Sequence, residues 1–507
     1  MSVKVYAAAI IGIEAVPVEV ETDLTSGLHS FSIVGLPDVS VKESKERISA
    51  AMKNSGVHPP YKHNLRVIIN LAPADLKKEG PMYDLPIALS FLLASEQIKF
   101  DPILKMFAGE LALDGQIRPI TGILPLVLMA KSRGFKTVFI PYDNFGEACL
   151  VDGIEIIGVK TLSELIKHLE GFSLIKNKNS KNKLSKSLNN SLDMSLITGQ
   201  ESIKRALEIA AAGGHHFLMN GLPGSGKTLL AKALPSILPD LTNDEILDIT
   251  RIYSVAGLLN KNEQFIQDRP IRAPHHSASY VALVGGGNNV RPGEITLAHQ
   301  GVLFLDELPE FSRQALENLR EPLESGEITI ARAKESLTFP ARFMLVAAMN
   351  PCPCGFFGDD KKECVCTFSQ IARYKKRISG PFLDRIDIQV EVPKVDLGLL
   401  AKNEVTESSL AIKMRVEKAR SRQRARFKET KIKTNNEMNL AQIKKYCSLD
   451  KENENLLLNI AKKYDLSARG YHKVLKLALT IADLAEVDKI TAQHLLEAVQ
   501  YRVKIDN

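Results

Sequence analysis

The sequence predicts an α/β chain in three parts, and three observations predict it. Short β-branched runs alternate with helical ones over residues 1–172. A phosphate-loop pattern, Gly221-Leu-Pro-Gly-Ser-Gly-Lys-Thr228, lies between an apolar strand and a helix. After Pro393 only helical periodicity remains. A length of 507 residues leaves room for about three domains. With 45% hydrophobic and 25% charged residues, collagen-like, disordered and disulfide-scaffold chains are excluded. No apolar run approaches the roughly 20 residues that span a bilayer, so no membrane partner is expected. The net charge of +7 permits nucleic acid as a partner without demanding it.

In the first part, Val3–Ile13, Phe31–Val34, Arg66–Asn70 and Thr137–Ile140 read as strands, and Val41–Ser55, Leu85–Ser95 and Leu124–Arg133 as helices. Lys4 before the apolar run Val5–Ile13 imitates a signal peptide. Glu14 and the β-rich Val16–Val20 follow with no cleavage site, so a buried first strand and a cytoplasmic protein are expected. Residues 173–195 form the expected linker. Lys176, Lys178, Lys181, Lys183 and Lys186 stand there among Asn and Ser with no acid from Ser173 to Asn190, a composition that cannot bury apolar area. A basic tether for nucleic acid is the alternative reading.

The second part, 196–392, carries the chemistry. His216–Asn220 is a short strand before the loop and Thr228–Leu234 opens a helix after it. Gly221, Gly224, Ser225 and Gly226 let the loop turn its backbone N–H groups toward phosphate. Lys227 supplies a point charge for the β- and γ-phosphates, and the Thr228 hydroxyl ligates Mg²⁺, so ATP and Mg²⁺ are the expected cofactors. The apolar run Gly301–Leu305 ends in Asp306 and Glu307. Unpaired carboxylates after a buried strand have no stability rationale, which assigns Asp306 to the Mg²⁺ shell and Glu307 to the attacking water. A further strand, Phe343–Met349, ends in Asn350, an amide able to bridge water and γ-phosphate. Positive charge over that phosphate has two candidates, Arg385 in Leu383-Asp-Arg385 and Arg469 in Ser467-Ala-Arg469.

Cys352-Pro-Cys354 and Cys364-Val-Cys366 put four thiolates where one loop can close round a tetrahedral ion, and structural Zn²⁺ is expected. The adjacent His275 and His276 have no matching ligands nearby in sequence and read as a structural insert. Residues 327–339 read as a β-hairpin with Arg332 and Lys334 near its tip. The third part, 393–507, is expected to be helical. Lys413–Lys433 contains ten Lys or Arg and two acids, and such a helix needs a polyanion or an acidic neighbour; DNA and subunit packing are both open.

Together, Ile197-Thr-Gly-Gln200, the two acidic and phosphate-binding motifs, Asn350, Leu383-Asp-Arg385 and Ser467-Ala-Arg469 resemble the AAA+ ATPases. Pro292-Gly-Glu-Ile-Thr-Leu-Ala-His-Gln-Gly-Val-Leu-Phe-Leu-Asp-Glu307 is similar to their magnesium-chelatase-related branch. The resemblance implies that Asn350 is sensor 1, Arg385 the arginine finger and Arg469 sensor 2, with sites shared between subunits of a homo-hexamer. It also implies that the insert and hairpin face a pore, where Arg332 and Lys334 touch a phosphate backbone. Ile33-Val-Gly-Leu-Pro-Asp38, Asn70–Gly80 and Gly109–Pro119 resemble the Lon-protease-like domain of ComM-type proteins. The implied architecture is a Lon-like α+β N-terminal domain, a P-loop AAA+ α/β domain and a helical C-terminal lid. The implied activity is a branch-migration helicase acting on single-stranded, forked or branched DNA in natural transformation, with a recombinase as a possible partner. Peptidase activity is not expected, because Gly80-Pro-Met-Tyr-Asp84 and Thr121-Gly-Ile-Leu-Pro125 lack the serine and lysine of the Lon dyad. Two other readings stay open, a magnesium-chelatase subunit and a regulatory ATPase that remodels a protein.

Overall fold

The computed structural model describes residues 3–62, 64–176, 192–259, 264–287, 290–331, 336–394, 406–430 and 432–502. It divides into two compact units, Met1–Ser185 with Asn243–Gln267, and Lys186–Thr242 with Asp268–Asn507.

The first unit is built on a seven-stranded sheet of β1 (Val3–Ile11), β2 (Glu14–Ser26), β3 (Ser30–Val34), β4 (Leu65–Ala72), β5 (Lys105–Phe107), β6 (Thr137–Pro141) and β7 (Glu155–Val159), in the order β3-β4-β2-β1-β5-β6-β7. The run expected as one strand, Val3–Ile13, breaks at Gly12, whose φ of 61° suits glycine, and the chain returns as an antiparallel hairpin with Val5 opposite Val20. Along β2, Val18, Val20 and Thr22 point into the core while Glu19 and Glu21 turn outward to meet Lys4 at 2.9 Å each. The helices α1 (Val39–Asn54), α2 (Asp84–Ala94) and α3 (Ile123–Ser132) contribute to this unit's core. Asp38 caps α1 by accepting from the Val41 N–H at 2.8 Å. All residues of α2 from Asp84 to Leu92 are buried, which is why that helix shows no amphipathic stripe. The helix Asn243–Ala256 belongs to this unit although it follows the phosphate loop in sequence: its Leu247 joins the core, Ser254 accepts from the Gly122 N–H at 3.1 Å, and Arg251 pairs with Glu14 at 3.0 Å.

The second unit holds a five-stranded, wholly parallel sheet of β8 (Phe217–Gly221), β9 (Ile271–Arg272), β10 (Val302–Leu305), β13 (Met344–Met349) and β14 (Ile388–Val392), in the order β9-β10-β13-β8-β14. Every residue of β10 and β13 is buried, as strands covered on both faces require. Because β8 is flanked by β13 and β14, the connections diverge at its carboxyl end and leave a crevice there. Between β10 and β13 stand the helix α6 (Arg320–Ser325) and the antiparallel hairpin β11 (Glu327–Ala331) and β12 (Ser336–Pro340). A core of α4 (Glu201–Gly213), α8 (Ser409–Arg426) and α9 (Ala468–Leu484) packs beside the sheet strands. Of the expected linker, residues 177–191 lie outside the described residues. Among the described residues, no helix is long and apolar enough to cross a membrane.

Candidate nucleotide site and cysteine cluster

Three strand ends bring the predicted residues together. The loop after β8 runs through Gly224 and Gly226, with φ of 76° and 92°, into α5 (Lys227–Ala233). Gly221 must also lack a Cβ, which would stand 2.6 Å from the Val392 carbonyl oxygen. Lys227 is nearly buried and donates to the carbonyls of Gly221 at 2.6 Å and Leu222 at 2.9 Å, and to Asn350 Oδ1 at 3.2 Å. Burial pushes its pKa down, opposed by Asp306. The Thr228 hydroxyl donates to Asp306 Oδ2 at 2.9 Å. Thus the ends of β8, β10 and β13 converge on one point, with a lysine contacting neutral oxygens there. Ser225 Oγ is buried without a hydrogen-bond partner among the described residues. An orphaned hydroxyl, an under-neutralised lysine and the free N–H groups at a helix start form a donor set that fits a triphosphate. Thr228 and Asp306 supply the hard oxygen ligands that suit Mg²⁺.

Glu307 follows β10 in the left-handed region, φ 52°, an uncommon place for a glutamate. Its half-exposed carboxylate lies 3.2 Å from His276 Nδ1. A cavity of about 650 Å³ opens beside both acids, lined among others by Thr228, Lys232, His276, Phe304 and Asp306. His276, read with His275 as part of a structural insert, lies against the predicted water-orienting acid. Periodicity carries no sign of this contact, which depends on β9, leading into the histidines, lying parallel to β10. Arg272, at the end of β9, is held by a two-point bond to Glu294 at 2.5 and 2.7 Å, which anchors this turn.

Arg385 and Arg469 meet at one carboxylate. Glu324, on α6, lies 2.6 Å from Arg385 Nη2 and 3.1 Å from Arg469 Nη2. Arg385 is buried, and its Nη1 donates to the Pro381 carbonyl at 2.5 Å; Arg469 is exposed. Two residues beyond Arg385, the buried Asp387 is locked by Lys473 of α9 at 2.8 Å and by the His216 N–H at 2.8 Å. Burial alone would raise the Asp387 carboxyl, but the Lys473 ammonium and the two histidines hold it well below the carboxylate range. Burial drives Lys473 itself down to about 8, with Asp387 opposing. Sequence reading missed this network because each member is an ordinary charged residue on its own element.

The four cysteines form one cluster with all ligand atoms within 4.8 Å of one another. Cys352 Sγ lies 3.4 Å from Cys354 and 3.7 Å from Cys364, and Cys354 lies 3.6 Å from Cys364. A tetrahedral ion with metal–sulfur bonds of about 2.3 Å needs sulfurs about 3.8 Å apart, so the set fits. The backbone N–H groups of Cys354 and Phe357 donate to Cys366 and Cys352 at 3.4 and 3.3 Å. The Phe356 N–H favours the Cys354 thiolate and brings that thiol down to about 6.

The basic helix is covered from within its own unit. Arg415 pairs with Glu208 at 2.5 Å and with Glu407, Lys413 with Asp240 at 2.5 Å, Lys418 with Glu486 at 2.8 Å, and Arg426 with Asp483 at 2.5 Å, while Arg422 reaches Asp488. Acidic side chains of the same unit therefore meet five of these cations. The hairpin forms where expected, but its tip with Arg332 and Lys334 lies outside the described residues. In the first unit Met82 and Tyr83 are buried, and Asp84 is clamped by Arg47 at 2.8 and 2.9 Å.

Three family models match: "Magnesium chelatase, subunit ChlI" over residues 193–399, "Subunit ChlI of Mg-chelatase" over 20–144, and "Magnesium chelatase, subunit ChlI C-terminal" over 406–502. The chain is 44% identical over 500 residues to the "Uncharacterized protein YifB" of Escherichia coli, covering 98% of this chain and 96% of that one. It is 42% identical over 507 residues to the "Competence protein ComM" of Haemophilus influenzae, covering 99% and 97%. A shorter match, 34% over 130 residues, joins 25% of the chain to 22% of "Lon protease 2" of Bacillus subtilis.

Proposed function

Because the chain belongs to the magnesium-chelatase-like family of AAA+ ATPases, alongside YifB and ComM, we propose that it is an ATP-driven motor that reshapes a macromolecular partner. The convergence of Lys227, Thr228, Asp306 and Asn350 at one crevice carries this reading. The loop Gly221–Thr228 and Lys227 hold the triphosphate, while Thr228 and Asp306 hold Mg²⁺, which when bound neutralises charge on the β- and γ-phosphates. Glu307 orients water for in-line attack, and His276 fixes where that carboxylate rests before it acts. Asn350 links Lys227 to the γ-phosphate region.

Arg385 and Arg469 act at a neighbouring copy's nucleotide, which makes the working form a ring, in our reading a hexamer. Their shared Glu324 keeps both cations satisfied until a partner's phosphate competes for them. The N-terminal part, residues 1–172, is read as a Lon-like module without peptidase chemistry, followed by a linker at 173–195, the ATPase domain at 196–392 and a helical lid at 393–507.

The family and the internally neutralised α8 favour a protein partner for the motor, as in the chelatase-like or regulatory reading. Branch migration on DNA is the second reading, favoured by the likeness to a competence protein and by the hairpin β11–β12. ATP turnover measured with single-stranded, forked and four-way DNA separates them. Stimulation by these DNAs supports the helicase; turnover indifferent to every DNA leaves protein remodelling. A chain without ATPase activity in either case overturns both.

A further inference from the structure

The cysteine cluster lies against the phosphate loop. Gly355, inside the quartet with φ 86°, approaches Pro223 so closely that a Cβ on it would stand 2.5 Å from the proline Cγ and 2.9 Å from Cδ. Pro223 is the third residue of the loop Gly221–Thr228. Two residues before the first cysteine, Asn350 accepts from Lys227 at 3.2 Å. The segment 350–355 therefore bears on the loop twice, once through packing and once through a charge-assisted hydrogen bond. After the last cysteine, Thr367 caps α7 (Phe368–Lys375), and the buried Tyr374 of that helix is bonded to the Asn350 backbone.

A loop of this composition has little apolar content to hold its shape. The exposed Val365 and Phe357 point outward, and of the four cysteines Cys352 alone is fully buried. Beyond the Asp359–Lys394 pair and the Lys362–Phe356 contact, its order comes from its sulfurs. The free thiols do not attract one another, whereas an ion drawing four thiolates to one centre closes the loop. The knuckle and phosphate loop then share a rigid contact, and rigidifying one lowers the cost of ordering the other.

We propose that the four cysteines hold a tetrahedral metal ion, of the Zn²⁺ class, that braces the phosphate loop through Gly355–Pro223 and Asn350–Lys227, so that metal occupancy sets nucleotide affinity. The inference rests on the reading of this loop as the ATP site. Coupling is reciprocal: nucleotide must tighten the hold on metal by the factor by which metal tightens the hold on nucleotide.

The test uses the full chain as purified. Elemental analysis is expected to find about one Zn²⁺ per chain, four thiolates making one closed site. Fluorescent ADP binding is then titrated before and after stripping with a zinc-selective chelator, with free Mg²⁺ held constant. Affinity is expected to fall by about 5- to 150-fold, the usual span of such coupling. Since stripped protein can unfold, metal release from the loaded chain is also measured with and without saturating Mg-ADP; release should be slowed and its equilibrium shifted by the same factor. Metal release indifferent to nucleotide, or a chain carrying no metal, overturns the brace. If the loaded chain does not bind ADP at all, the ATP reading has failed instead; Lys227→Ala, expected to keep its metal while binding ADP about 10- to 100-fold more weakly, separates the two.

Discussion

At the scale of single residues, the site works through charge held in reserve. Lys227 is satisfied by three neutral oxygens, each replaceable by a phosphate oxygen carrying a full charge. Lys227→Ala is expected to weaken nucleotide binding by about 10- to 100-fold, the equivalent of one charged hydrogen bond of about 1.5–3 kcal/mol; equilibrium titration with a fluorescent nucleotide checks it. Glu307→Gln keeps the shape of the side chain and removes its basicity. Binding should stay near wild type while turnover falls about 10²- to 10⁴-fold, and single-turnover kinetics that show retained hydrolysis would refute the assignment. The approach of His276 to Glu307 suggests a milder phenotype for His276→Ala: a changed kcat with unchanged nucleotide affinity, seen by measuring both on one preparation. Motif spacing exposed Lys227, Thr228, Asp306 and Glu307. It did not expose His276, because the contact depends on β9 lying beside β10, a pairing across thirty-odd residues that periodicity does not report.

At the scale of elements, α9 is fastened to the segment after Arg385 by a buried pair. Removing one partner strands the other, so Asp387→Asn should cost about 3–5 kcal/mol by urea denaturation, far more than loss of an exposed pair. The pH dependence has a definite sign. The folded carboxyl titrates below its ordinary 3.8, so the folded state binds fewer protons in that range. Its stabilisation is complete above about pH 4 and withdrawn as pH falls below it. Urea midpoints from pH 2 to 5 should fall less steeply toward acid in Asp387→Asn than in wild type; identical slopes would remove Asp387 from the account. The basic helix α8 teaches the complementary lesson. Its cations look available in one dimension, yet Glu208, Asp240, Asp483 and Glu486 come from distant segments to meet Arg415, Lys413, Arg426 and Lys418.

At the scale of the whole molecule, a ring with shared sites has a signature that no isolated subunit can imitate. Lys227→Ala and Arg385→Ala chains, each inactive alone, should regain ATPase activity when mixed, since some interfaces pair an intact loop with an intact arginine. Light scattering with and without nucleotide supplies the independent check, a multimer expected with nucleotide bound. Activity that never returns in any mixture would place Arg385 inside its own subunit's site or outside catalysis. Fold alone does not decide whether protein or DNA is the object moved; ATP turnover measured with each substrate does.

The α/β character, the strand–loop–helix at Gly221–Thr228, the acids after β10, the amide after β13 and the cysteine quartet were all legible in the sequence. Each is a local pattern, with its chemistry set by neighbours within a few residues or by a buried strand that must be apolar throughout. Tertiary structure decided what those patterns touch: His276 beside Glu307, Glu324 between two arginines, Asp387 against Lys473, Gly355 on Pro223, and Asn243–Ala256 with the first unit. Contacts of that kind depend on chain reversals and strand order, which bring together residues whose identities carry no mark of one another.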